Sequence, residues 1–122
     1  MNADLENKVV LVTGGAGGIG SVISKSFAEQ GARVIIHYNH SKDNAEKISK
    51  QIGGLAIEAD LTDPKQTKEL FRHVIEKEGK IDVCIANAGK YPKDYAPLWE
   101  IESSRWDNTI STNLSLAFNT SR

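Results

Sequence analysis

Val9-Val10-Leu11-Val12-Thr13-Gly14-Gly15-Ala16-Gly17-Gly18-Ile19-Gly20 is the stretch that decides the fold. Val9 to Thr13 is a short β-branched run with the length and composition of a buried strand. Glycines crowd the next seven positions. Ile19, Val22, Ile23 and Phe27 then recur at helical spacing, which predicts a helix to about Gln30. Gly31 stands where a left-handed C-terminal cap belongs. A strand, a glycine-rich turn and a helix within a unit of roughly 30 residues form the setting in which such a turn takes a phosphate. A side chain at Gly14 would obstruct the tight turn out of the strand. One at Gly18 would block a pyrophosphate, and Gly20 lets the helix pack against the sheet. Free N–H groups and the positive end of the helix then face the phosphates. This context favours a bound ligand over a ligand-free turn. No GxxxxGK(S/T) run is present, which argues against a P-loop NTPase.

Working outward, Arg33 to His37 or Tyr38 is a second strand, and a polar helix runs from about Lys42 to Gln51. Gly53-Gly54 ends that helix, and Leu55 to Ala59 makes a third strand. Thr62-Asp63-Pro64 starts another helix, with an oxygen-bearing cap and then proline in the first turn. Leu70, Phe71, Val74 and Ile75 form its apolar face, and Gly79 closes it. Ile81 to Ala86 is a fourth strand. An irregular stretch with Tyr91, Pro92, Tyr95 and Pro97 precedes a last helix, which starts near Glu102 or Ser103. Strands alternating with helices predict parallel strands and right-handed crossovers. The fold class is α/β, a Rossmann-type doubly wound parallel sheet with strand order 3-2-1-4. Residues 1–122 make one domain portion.

The composition is that of a soluble globular domain, with 39% hydrophobic and 25% charged residues and a net charge of -1. That balance gives no support for a nucleic-acid partner or a polybasic membrane anchor. The polar start, MNADLENK, carries no secretion signal, and no apolar run approaches a membrane span. The single cysteine, Cys84, allows no internal disulfide, so a cytoplasmic location is expected. Cys84 falls on a strand expected to be buried, where cysteine acts as an inert hydrophobe. His37, His40 and His73 show no metal-ligand spacing, and no metal is expected. Trp99 and Trp106 read as packing residues, with an interface contact as the alternative.

The glycine pattern is TGxxxGxG rather than the general GxGxxG. With it the chain resembles the short-chain dehydrogenase/reductase family. Asp60-Leu61-Thr62-Asp63, Asn87-Ala88-Gly89, Trp106-Asp107 and Asn113-Leu114 also fall at the family's places. The resemblance covers essentially the whole chain. It implies that Gly14, Gly18, Ile19 and Gly20 surround a pyrophosphate. It implies that the Asp60 carboxylate accepts from the adenine amino group, with the Leu61 backbone beside it. An aspartate at a strand–helix junction also serves as a helix cap. Asn87, Ala88 and Gly89 would line the adenine-ribose side. Ala86 stands where the family often has a first asparagine. Asn113 matches the active-site asparagine that holds a water linked to a catalytic lysine; its alternative is an ordinary polar helix residue.

The end of the second strand reads His37-Tyr38-Asn39-His40-Ser41-Lys42, without the acid that holds a ribose 2′-OH in NAD-preferring enzymes. Asn39, Ser41 and Lys42 could receive a 2′-phosphate. The glycine loop lacks the basic residue of many NADP-specific relatives. The reading favours NADP over NAD, with dual use open.

The resemblance implies an oxidoreductase that moves hydride between NAD(P)(H) and a ketone or secondary alcohol, a small-molecule substrate. The longer parent is expected to be a homo-oligomer, dimer or tetramer. The family's catalytic serine and Tyr-x-x-x-Lys would lie beyond Asn113 and are missing from this chain. Tyr38 and Lys42 have the spacing but sit on the adenosine side. The chain is therefore expected to be truncated before the remaining strands and inactive alone. The rival readings are a catalytically inactive dinucleotide-binding module and half of a two-chain enzyme.

Overall fold

Val9–Val12, the first strand (β1), is fully buried, and the rest of the architecture is arranged around it. In the computed structural model, which describes residues 4–89, 98–100 and 102–121, it pairs in parallel with strands on both sides. The chain continues through α1 (Gly18–Glu29), β2 (Arg33–Tyr38), α2 (Lys42–Ile52), β3 (Leu55–Glu58), α3 (Pro64–Glu78) and β4 (Val83–Ile85). A short 3-10 turn (Leu98–Glu100) and α4 (Ser103–Ser121) follow. The sheet order is β3-β2-β1-β4, the doubly wound order expected.

Alternation along β1 sends side chains to opposite faces. Val9 and Leu11 join Ile35, Ala59, Leu61, Leu70 and Val74 in one core, covered by α3 with Leu116 of α4 beside it. Val10 and Val12 join Val34, Ile36, Ala45 and Ile48 in the other, under α1 and α2. A buried aliphatic side chain is worth about 1.5–3 kcal/mol over an exposed one. Both faces of the central strands are therefore covered, as a parallel sheet requires.

The helix ends follow from local chemistry. Asp63 caps α3 by accepting the Lys65 N–H at 3.0 Å, and Pro64 stands in the first turn. Gly31, Gly53 and Gly79 follow α1, α2 and α3 with positive φ, where a Cβ would be strained.

Four expectations need correction. The fourth strand covers Val83–Ile85 rather than Ile81 to Ala86. Cys84 is exposed, not buried, because β4 has a hydrogen-bonded neighbour on one side only among the described residues. Ile75 is half exposed, while Leu70 and Val74 carry the buried stripe of α3. Trp99 is 83% exposed and packs no core. The stretch holding Tyr91, Pro92, Tyr95 and Pro97, and the side chain of Trp106, lie outside the described residues.

Candidate dinucleotide site

The candidate residues Gly14, Asn39, Asp60, Leu61, Asn87, Ala88 and Gly89 follow the C-terminal ends of the four strands, where open α/β sheets bind ligands. β1 is followed by Thr13, which is 1% exposed and has its hydroxyl fully engaged. Thr13 Oγ1 accepts the N–H groups of Asn87 and Ala88, each at 3.0 Å, and donates to the Ile85 carbonyl at 3.3 Å. These bonds lock the segment after β4 against the start of the glycine loop. Asn87 returns the contact by donating Nδ2–H to the Gly14 carbonyl at 3.2 Å.

The glycines divide by what each must avoid. Gly14 has φ +63°, and a Cβ there would lie 3.0 Å from Ala88 Cα. The Cβ of a residue at 20 would lie 2.0 Å from the Gly14 carbonyl oxygen, so only glycine lets α1 pass the loop. The sequence reading placed the Gly20 contact against the sheet; it is against the loop that α1 leaves. Gly18 differs, since a Cβ there meets nothing within 4 Å. Among the described residues none places a steric demand on that position. Gly17 is the N-cap of α1 and makes no side-chain capping bond, so the first-turn N–H groups are left for an external acceptor. Ile19 is 73% exposed beside them.

His37 is a site residue that sequence reasoning missed. It is buried at the end of β2, with Nδ1 3.0 Å from the Gly14 N–H and Nε2 2.7 Å from the Ala59 carbonyl. The first contact needs an acceptor and the second a donor, so the network assigns a neutral ring protonated at Nε2. Burial pushes the ring below the ordinary histidine value, against the Ala59 bond and the Asp60 charge, which favour the cation. Its backbone also serves the loop, as the His37 carbonyl accepts the Gly15 N–H at 3.1 Å. The available signal was a lone polar residue closing the apolar run Val34-Ile35-Ile36.

Asp60 follows β3 and closes a tight turn. Its Oδ1 accepts the Thr62 hydroxyl at 2.6 Å and the Thr62 N–H at 3.0 Å. Those bonds hold the carboxyl below the usual carboxylate range. The cap of α3 is Asp63, so Asp60 is not a helix cap, and Oδ2 meets no donor among the described residues. Leu61 is buried, and its carbonyl accepts from Thr67 and Asn119 at 3.3 and 2.8 Å. Asn39 is exposed just past β2. On α4, Asn113 donates to the Thr109 carbonyl at 2.9 Å, and its Oδ1 lies 3.2 Å from where a Gly89 Cβ would stand. The fold thus brings Asn113 against the Asn87-Ala88-Gly89 segment.

A sequence model described as short chain dehydrogenase matches residues 8–122. The chain belongs to the short-chain dehydrogenase family. It is similar to a 3-oxoacyl-(acyl-carrier-protein) reductase of Staphylococcus epidermidis, with 37% identity over 118 residues, 93% of this chain and 48% of the relative. The reductase of the same name from Thermotoga maritima is 40% identical over 120 residues, 94% of this chain and 48% of that protein. Among solved structures, it is similar to a short chain dehydrogenase from Burkholderia cenocepacia in complex with NADP. That match has a TM-score of 0.85 at 32% identity and covers 96% of this chain and 49% of the other. A 3-ketoacyl-(acyl-carrier-protein) reductase from Brucella melitensis complexed with NADH gives 0.86 at 30% identity, covering 97% and 48%. The chain spans about half the length of the curated relatives it matches.

One pair with the spacing of the family's tyrosine and lysine, Tyr38 and Lys42, lies at the end of the second strand. Tyr38 lies against the core under α1 and α2, and Lys42 is the first residue of α2. Both sit beside the second strand. Among the described residues no group of three His, Cys, Asp or Glu side chains converges to hold a metal ion. None of the described helices is long and apolar enough to cross a membrane.

Proposed function

We propose that residues 1–122 form the dinucleotide-binding portion of a single-domain NAD(P)-dependent oxidoreductase. Its substrate would be a small ketone or secondary alcohol. The observation that carries this reading is the contrast between Gly20 and Gly18. Gly20 is demanded by the protein's own backbone, and Gly18 by nothing among the described residues. Open space there, above uncapped N–H groups of a 12-residue helix, fits the approach of a pyrophosphate.

A bound nicotinamide dinucleotide supplies the hydride chemistry. The chain's own residues bind and orient it. Gly14, Gly18, Ile19 and Gly20 would border the pyrophosphate. The open Asp60 oxygen would accept from the adenine amino group beside the Leu61 backbone, since a carboxylate only accepts. Asn87, Ala88 and Gly89, held by Thr13, would line the adenine-ribose side. Asn113 would hold a water near the reaction centre, supported by its place against Gly89. Asn39 would face the adenosine ribose or its 2′-phosphate. The lack of an acid after β2 supports NADP over NAD, and relatives of this fold have been solved with NADP and with NADH.

A serine and a Tyr-x-x-x-Lys pair would complete proton transfer, and in this reading those roles fall outside residues 1–122. The chain alone is therefore proposed to bind without turnover. The longer enzyme would be cytoplasmic, and homo-oligomeric through surfaces such as that of Leu114 and Phe118, exposed one turn apart on α4.

The test is equilibrium binding of NADPH and NADH to the chain, followed by the fluorescence of the reduced nicotinamide. Saturable binding that Gly18→Val abolishes supports the reading. Absence of binding to a chain with native circular dichroism overturns it.

A further inference from the structure

His37 sits where two demands meet. One ring nitrogen must accept the N–H of Gly14, the residue that turns the chain out of β1, while the other donates to the Ala59 carbonyl at the end of β3. The ring therefore ties the glycine loop to the edge of the sheet through a single neutral tautomer. We propose that His37 is a positioning residue for the dinucleotide, holding Gly14 so that the loop keeps its ligand-binding shape only while the ring is neutral. The proposal rests on the dinucleotide-binding reading above.

A second proton on the ring would land on Nδ1, which then faces the Gly14 N–H as donor against donor at 3.0 Å. At 3% exposure the ring cannot turn the new N–H to solvent where it stands. Either the loop opens or the histidine swings out, and both disturb the turn that Gly14 and Gly20 define. The charges around the ring do not remove the conflict. The glycine loop, Thr13 and Asn87-Ala88-Gly89 carry no titratable side chain. From the β3 side the Asp60 carboxylate faces the ring and favours the cation, but burial outweighs it. His40, exposed beyond the strand, acts on Asp60 as well and must be separated in the test.

The experiment is NADH affinity of the full chain measured from pH 8 to pH 5, within the range where circular dichroism stays native. NADH is the probe because the 2′-phosphate of NADPH titrates near pH 6 and would add its own dependence. With one linked proton, affinity falls toward roughly tenfold per pH unit once the ring is titrated. His37→Asn places a neutral amide oxygen where Nδ1 accepts the Gly14 N–H, without the Nε2 donor to Ala59. It should keep affinity at pH 8 within about fivefold of wild type and flatten the acid limb. His40→Gln should leave the acid limb in place. His37→Leu, where it folds, should lose at least about tenfold at pH 8, since it leaves the Gly14 N–H and the Ala59 carbonyl unpaired. A wild-type affinity that stays flat, or an acid limb unchanged in His37→Asn or lost in His40→Gln, overturns the proposal while leaving dinucleotide binding intact. A wild type that binds at no pH overturns the binding reading and this proposal with it.

Discussion

Thr13 Oγ1 accepts the backbone N–H of Asn87 at 3.0 Å, and with this bond the first strand's end fixes the segment that follows the fourth. The same oxygen accepts the Ala88 N–H, so one buried hydroxyl satisfies two donors. A valine has the same shape and no acceptor. Thr13→Val should therefore destabilise the fold by about 1–3 kcal/mol, the cost of orphaning the Ala88 N–H, since the Asn87 N–H keeps the Ile85 carbonyl at 3.0 Å. Urea denaturation measures this. A loss under about 0.5 kcal/mol would mean that the bonds are replaced by water.

The two glycines of the loop should separate stability from binding. Gly20→Ala places a methyl group on the Gly14 carbonyl and should cost more than about 3 kcal/mol or prevent folding. Gly18→Ala meets no neighbour and should leave the melting temperature unchanged or slightly raised, since alanine is the better helix former by up to about 1 kcal/mol. Paired thermal melts decide the matter. A severe loss from Gly18→Ala would show that a contact holds that position after all.

Asp63 caps the start of α3 through the Lys65 N–H. Asp63→Ala should lower stability by about 1 kcal/mol, and Asp63→Asn by less, because asparagine caps equally well. Equal losses from the two variants would point to charge rather than capping.

Acid should weaken the fold through two carboxylates. The Asp82 carboxyl is held low by the Val9 N–H, which it accepts at 2.8 Å, and then by Lys80. Asp60 is held low by the Thr62 hydroxyl and N–H. A group with a depressed native value stabilises the fold fully above its unfolded value of about 3.9 and loses that contribution as pH falls below it. His37 acts in a higher window. Its native value is lowered, so the unfolded chain binds the extra proton first, and stability starts to decline as pH falls through about 6.5. Denaturant midpoints between pH 8 and pH 2.5 should show two descending limbs. Asp82→Asn should reduce the lower limb and His37→Asn the upper one. A single limb unaffected by either variant would count against both assignments.

Much of the fold was legible because it is written in local patterns. The run Val9 to Thr13, the spacing of Ile19, Ile23 and Phe27, and the Asp63-Pro64 start each fix an element through neighbours a few residues away. Alternation of strands and helices then leaves the doubly wound sheet as the natural arrangement. The candidate site was legible only where backbone needs dictate a residue type, as at Gly14 and Gly20. His37 stayed hidden because its partners, Gly14 and Ala59, are each more than twenty residues away. Cys84 and Trp99 were misread because hydrophobic character alone does not say whether a neighbour exists to cover it.

The sequence by itself determined the order of elements, their parallel pairing and the place of the glycine loop, since periodicity and turn chemistry act over short distances. The tertiary structure alone decided which glycine the protein's own backbone demands and which meets no neighbour among the described residues. It alone gave Thr13 and His37 their tasks and freed one oxygen of Asp60. Those properties depend on atoms that meet only when strands distant in the chain lie side by side.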